Sequence, residues 1–209
     1  MSSPSKTLAT ALASTTLFLS TTSLAHHPMG GETPGTYLHG FLSGLAHPII
    51  GIDHFAFIIG VGIVLGFGAL RGLTTPLMLI AAAIAGTTLS WSGFTFPATE
   101  LMVALSLLGV AATVFLKPQY KLFLTVTGSA AAFFHGQAYA GAVLGAETSP
   151  LVAYLTGFTI TQFSLAAAAY LLTRWLLANH QKLSAMAQTA AASAIGGIGL
   201  ISVASTVIG

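Results

Sequence analysis

Long apolar runs separated by short polar clusters dominate this chain. Six of them follow one another, near Pro48–Leu70, Leu73–Ser90, Ala98–Leu116, Leu122–Leu144, Leu151–Leu177 and Ala185–Ile208. Each is near the roughly 20 residues that a helix needs to cross a bilayer. A shorter run, Leu8–Leu19, follows Lys6 and precedes Ser23-Leu24-Ala25. A polar n-region, an apolar h-region and a small-residue cleavage site, in that order, read as a secretory signal peptide. The alternative is an uncleaved first span; the short, Thr/Ser-rich run favours cleavage. The expected fold is therefore an all-α membrane protein. A cleavable signal peptide (1–25) precedes a six-helix transmembrane bundle (26–209) with a broken first span.

The break follows from length. The stretch Thr36 to Leu70 is predominantly apolar. As one helix it would be about 52 Å long, against a hydrocarbon core of about 30 Å. Pro48 marks the expected break. It has no N–H, so the Gly44 carbonyl loses its helical partner, and His47 before it is pushed away from helical geometry. The expected arrangement is an entry helix from Thr36 to Ala46, a turn, then the span proper. Residues 26–46 would then form a His-containing periplasmic segment. Irregular backbone at membrane depth survives only where protein or a water-filled cavity satisfies it.

Composition agrees with a lipid solvent. The chain is 55% hydrophobic and 5% charged, where a soluble domain carries about 25% charged residues. A formal charge of +2 gives no reason to expect a nucleic-acid partner. The absence of cysteine excludes disulfides and thiolate metal sites. Candidate ligands are therefore seven histidines, four acids and neutral oxygens. With the mature N-terminus outside, Arg71, Lys117, Lys121, Arg174 and Lys182 all fall on the cytoplasmic side, as the positive-inside rule requires. Glu32, Glu100 and Glu147 fall on the other. The expected location is a bacterial cytoplasmic (inner) membrane, with both mature termini periplasmic.

The fourth acid is the informative one. His47-Pro48-Ile49-Ile50-Gly51-Ile52-Asp53-His54 places two imidazoles and a carboxylate inside an apolar span. Ionisable groups at that depth cost a few kcal/mol or more and mark functional sites by default. Imidazole and carboxylate ligands suit Ni, Co, Zn, Fe or Cu. Asp53 could instead orient a histidine, or the trio could hydrogen-bond to neighbouring helices and only hold the bundle together. His135, about 21 Å from Lys121 along a helix, falls at a similar depth, so the two regions could meet in one site; otherwise it is a packing histidine beside Gly136.

The motif resembles the signature of the HupE/UreJ family of hydrogenase and urease accessory membrane proteins. Its first-span pattern H-P-x-x-G-x-D-H is matched at His47, Pro48, Gly51, Asp53 and His54. A second pattern, F-H-G-x-A, occurs as Phe134-His135-Gly136-Gln137-Ala138. Many members carry a second histidine where this chain has Tyr139, and some a glutamate where it has Gly141; the nearest acid here is Glu147. The resemblance implies a nickel or cobalt permease feeding metalloenzyme maturation.

Other polar groups are weaker candidates. His26 and His27 would follow the cleavage site, and with the free α-amine and nearby Glu32 could capture a divalent ion. His39 could line the mouth. In the fifth span, Thr159, Thr161 and Gln162 form a polar cluster, with Gln162 a carbonyl ligand or an interhelical hydrogen bonder. His180 is expected in the cytoplasm without a role. Gly62-x-x-x-Gly66 and the Gly196-Gly197-x-Gly199 run suit close helix packing, and such faces could support a homo-oligomer.

The expected function is secondary import of a divalent transition metal for metalloenzyme or cofactor maturation. The metal is then cargo, no resident cofactor is expected, and the partners are the ion and the lipid bilayer. The expected metal-binding set is His47, Asp53, His54, His135, His26, His27, His39 and Gln162. The chain carries no ATP-binding motif, so carriage is passive or gradient-driven unless a separate subunit energises it. The alternatives are an intramembrane zinc hydrolase, disfavoured by the lack of H-E-x-x-H, and a membrane accessory that binds metal without transporting it.

Overall fold

The computed structural model of the protein describes residues 33–67, 74–117 and 120–208. Seven helices account for most of them: α1 (Tyr37–Ile50), α2 (Ile52–Gly66), α3 (Thr74–Trp91), α4 (Thr99–Leu116), α5 (Lys121–Tyr139), α6 (Thr148–Asn179) and α7 (Gln181–Ile208). Among the described residues there is no strand. The signal peptide, His26, His27, Glu32 and Arg71 lie outside the described residues.

The bundle is apolar outside as well as in its core. Large apolar side chains such as Leu116, Phe123, Leu171 and Leu200 face outward, while His47, His54, His135, Gln137 and Thr87 are buried among apolar neighbours such as Leu107 and Phe158. Water would disfavour such an exterior; a hydrocarbon surround favours it. By length and apolarity, α3, α4, α6 and α7 can each cross a membrane, and the bent pair α1–α2 makes a fifth candidate. Where a span is expected at Leu122–Leu144 the chain forms helix α5, which ends at Tyr139 and runs into a 3-10 turn, Ala140–Ala142; α5 is not among the helices apolar enough to count as a span. Thr125, Thr127, Ser129, His135 and Gln137 make it more polar than its neighbours.

The break in the first span differs from the expectation. The entry helix does not stop at Ala46: α1 continues through Pro48 to Ile50, and the chain turns at Gly51, where the α1 and α2 axes meet at 77°. Pro48 removes only its own donor, and the helix closes beyond it with the Gly51 N–H on the His47 carbonyl, 3.1 Å. His47 therefore sits within the helix. Gly51 is needed for space, since a Cβ there would lie 2.7 Å from Cδ2 of the His54 ring.

Glycines set the packing. Gly40 and Gly44 of α1 let its backbone meet Pro150 and Tyr154 of α6, and Gly62 and Gly66 of α2 meet Ala166 and Thr173 further along the same helix. The 32-residue α6 thus runs alongside both halves of the broken span. Helix α3 lies parallel to α5: Thr75 bonds Thr125 at one end, 2.9 Å, and Gly86 and Gly136 interlock with the backbones of Phe133 and Ala83 toward the other. Helix α4 runs antiparallel to α7, where Leu107 packs on Gly199 and Gln188 bonds the Val114 carbonyl at 2.8 Å.

These pairings sort the charges by end. Glu100 and Glu147 stand at the starts of α4 and α6. At the other end Lys117 sits 4.6 Å from the centre of the Phe67 ring, with Lys121 and Lys182 opening α5 and α7.

Gly136→Ala would drive a Cβ into the Ala83 backbone, whereas a Cβ at Gly197 meets nothing within 4 Å. Overpacking of this kind costs roughly 1–3 kcal/mol. Gly136→Ala is therefore expected to lower the melting temperature in detergent, and Gly197→Ala not to lower it, since alanine is the better helix former within α7.

Candidate functional site

The site forms where the turn at Gly51 meets the end of α5. Helix α1 ends by burying His47, and α2 starts by burying His54. Because the bend redirects the chain between them, the two rings face one another with centres 5.8 Å apart. Asp53, in the first turn of α2, accepts the His54 backbone N–H at 2.8 Å. A carboxylate there satisfies a donor that the helix start leaves open and complements the helix dipole. Its Oδ1 also lies 3.9 Å from His54 Nδ1. Asp53 is half-buried, while the histidines are buried.

Helix α5 supplies the third imidazole. His135 Nδ1 is 2.7 Å from His54 Nδ1, and its Nε2 is 2.8 Å from the Ser106 hydroxyl of α4. The His135 ring stacks on Phe57 at 4.0 Å. The neighbouring Gly136 is what brings α5 against α3, and Thr87 bonds its carbonyl at 2.8 Å. Gln137 accepts the Phe96 N–H at 3.0 Å and the Thr99 hydroxyl at 3.2 Å, latching the loop between α3 and α4 onto α5.

Two tyrosines complete the enclosure. The Tyr139 ring packs on His54 at 4.1 Å and His47 at 5.1 Å. Tyr154, from α6, places its hydroxyl 3.0 Å from His47 Nδ1 and 3.1 Å from the Tyr139 carbonyl.

The predicted residues thus divide. His47, Asp53, His54 and His135 come together. His39 is exposed on α1, where its backbone N–H caps on Thr36, 3.2 Å. Gln162 lies in a separate apolar cleft with Ile58, Pro76 and Phe163. His26 and His27 are outside the described residues. Among the described residues, no three His, Asp or Glu side chains enclose a volume suited to a metal ion, so an ion entering here would have to part contacts that the side chains now make with one another. Ser106, Tyr139 and Tyr154 were not anticipated as members of the site.

Beyond Ser106 lies a cavity of ≈ 500 Å³ between α2, α3, α4 and α5, walled mainly by Val61, Leu79, Val110, Leu124 and Ala131. It reaches Leu116 and Phe123 near the lysine-bearing end.

A family model described as HupE / UreJ protein matches residues 14–201. No curated protein and no solved structure matches the chain.

Gln137→Ala removes the acceptor for Phe96 and Thr99. Hydrogen–deuterium exchange at the Phe96 amide is expected to rise about tenfold, equivalent to one lost hydrogen bond of about 1–1.5 kcal/mol, with exchange in α7 unaltered.

Proposed function

The chain belongs to the HupE/UreJ family of membrane proteins, and we propose that it is a secondary permease importing a divalent transition-metal ion, nickel or cobalt, for metalloenzyme or cofactor maturation. The observation that supports this reading most is the meeting of His47, His54 and His135 from three helices, beside the membrane-depth carboxylate Asp53, inside a bundle with an apolar exterior. Imidazole with carboxylate is a donor set for nickel and cobalt. Rings 5.8 Å apart, as in His47 and His54, are close enough to share an ion at N–metal distances of about 2.0–2.1 Å.

In this reading His47, His54 and Asp53 take the ion. His135, with both ring nitrogens engaged, backs His54. Few protein ligands and some retained water suit a carrier, because binding must be strong enough to admit the ion and weak enough to release it. The N-terminal His26 and His27, with Glu32, would capture ions outside, and His39 would lie on the approach. The protein would sit in the inner membrane with both mature termini periplasmic. Glycine-lined faces such as that of Gly197 would be open to a second copy.

A metal-binding accessory that does not transport is the second reading. It is favoured by the mutual contacts of the histidines, which leave no ready-made three-ligand enclosure among the described residues.

Cells lacking their own importer test the proposal. His47→Ala, Asp53→Ala and His54→Ala are expected to lower nickel or cobalt accumulation by about tenfold or more, the scale seen when ligands or their supports are removed. His180→Ala should leave uptake unchanged. Native uptake by well-expressed Asp53→Ala and His54→Ala variants would sink the permease site. Metal binding without flux in proteoliposomes would establish the accessory reading instead.

A further inference from the structure

Ser106 Oγ lies 2.7 Å from the Val103 carbonyl and 2.8 Å from His135 Nε2. A hydroxyl has one proton to donate, and a carbonyl only accepts. Both contacts are made together only if Ser106 donates to Val103 and accepts Nε2–H from His135. With the rings neutral, each imidazole has a single N–H, so His135 Nδ1 is an acceptor. His54 Nδ1, 2.7 Å away, must then be the donor, and the lone pair of His54 resides on Nε2.

A second chain, sharing no atom with the first, reaches the same result at His47. Tyr154 Oη lies 3.1 Å from the Tyr139 carbonyl and 3.0 Å from His47 Nδ1. Donation to the carbonyl obliges His47 Nδ1–H to donate to the tyrosine oxygen, which places the His47 lone pair on Nε2. Each chain ends on a main-chain carbonyl, which can only accept, so the polarity of each follows from the hydroxyl's donation to that carbonyl.

We propose that Ser106 and Tyr154 are positioning residues that lock His54 and His47 in the Nδ1–H tautomer, so that each presents Nε2 as its ligating atom to the cation. This rests on the reading of the site as a metal path. It adds that the ligating nitrogens are selected before the ion arrives, by two hydroxyls that do not touch it. A side chain orienting a ligand in this way affects metal affinity by about 10- to 100-fold.

The test uses the full chain in lipid nanodiscs with ¹⁵N-labelled histidine. Spectra without metal should show His47 and His54 as Nδ1–H and His135 as Nε2–H. Ser106→Ala should turn His54 and His135 into tautomer mixtures, leave His47 as it was, and weaken Ni²⁺ binding by about tenfold. Ser106→Thr should restore both readouts, and Tyr154→Phe should alter His47 alone. A native spectrum with His54 as Nε2–H overturns the inference without any variant. So does Ser106→Ala that keeps native tautomers, or loses them while keeping native affinity. A native chain that binds no Ni²⁺ overturns the metal reading and the proposed role together; the metal-free spectra would then still decide whether the two chains set the tautomers.

Discussion

A polar group surrounded by hydrocarbon has to find its hydrogen-bond partner inside the protein, because no water is there to supply one. Three buried imidazoles make that demand here, and much of the bundle is arranged to meet it. His135 is held between a ring on α2 and a hydroxyl on α4. His47 is held by a hydroxyl on α6 that also reaches the end of α5. Two of these connections, His54 to His135 and Tyr154 to His47, join helices distant in sequence, so the polar centre also ties the bundle together. Its two roles, structural and chemical, rest on the same atoms.

The close helix approaches make that centre possible. The chain turns at Gly51, where a Cβ would crowd the His54 ring, and this turn brings two histidines from consecutive helices edge to face. Gly136 performs the analogous task in α5, bringing the backbone against α3 with His135 as its neighbour. The glycines of both sequence motifs thus have steric duties, while the histidines and Asp53 supply the polar groups that meet at the site. Asp53 serves both ends: it completes the start of α2 and supplies the negative charge nearest the imidazoles.

Much of this was legible in the sequence, for reasons that can be named. The helices were readable because a lipid-facing helix must be apolar along its length, and the observed limits of α3, α4 and α7 lie within a few residues of the hydropathy boundaries. Similar depth made a meeting of His54 with His135 one of two readings, the other being a packing histidine beside Gly136; the 2.7 Å contact between the rings was not legible. The position of the break did not follow. Proline advertises a missing donor, but the helix runs on to Ile50 and the chain turns at Gly51, where the backbone becomes extended, and no local pattern marks that residue as the turning point. Ser106 and Tyr154 were missed for a related reason. A lone hydroxyl in an apolar helix most often bonds back within its own helix, as Thr113 and Thr156 do here, and nothing in one span identifies the few that reach across. Gln162 was expected at the site for its chemistry alone, and its helix turns it toward the cleft with Ile58 and Phe163 instead.

The cavity beneath Ser106 has a mechanical consequence. Where α1 meets α6 and α3 meets α5, backbone presses on backbone through glycine. Such contacts contain no rotamer that could yield, so each pair behaves as a stiff beam. The space bordered by α2, α3, α4 and α5 has the opposite character: its facing side chains stand apart across ≈ 500 Å³, and in a bilayer an apolar space of this kind admits lipid chains, whose dispersion contacts replace those between helices. The Ser106 hydroxyl is the polar group of its wall that reaches inward to the imidazoles. Any shift of α4 relative to α5 would be felt first in the bond from that hydroxyl to His135.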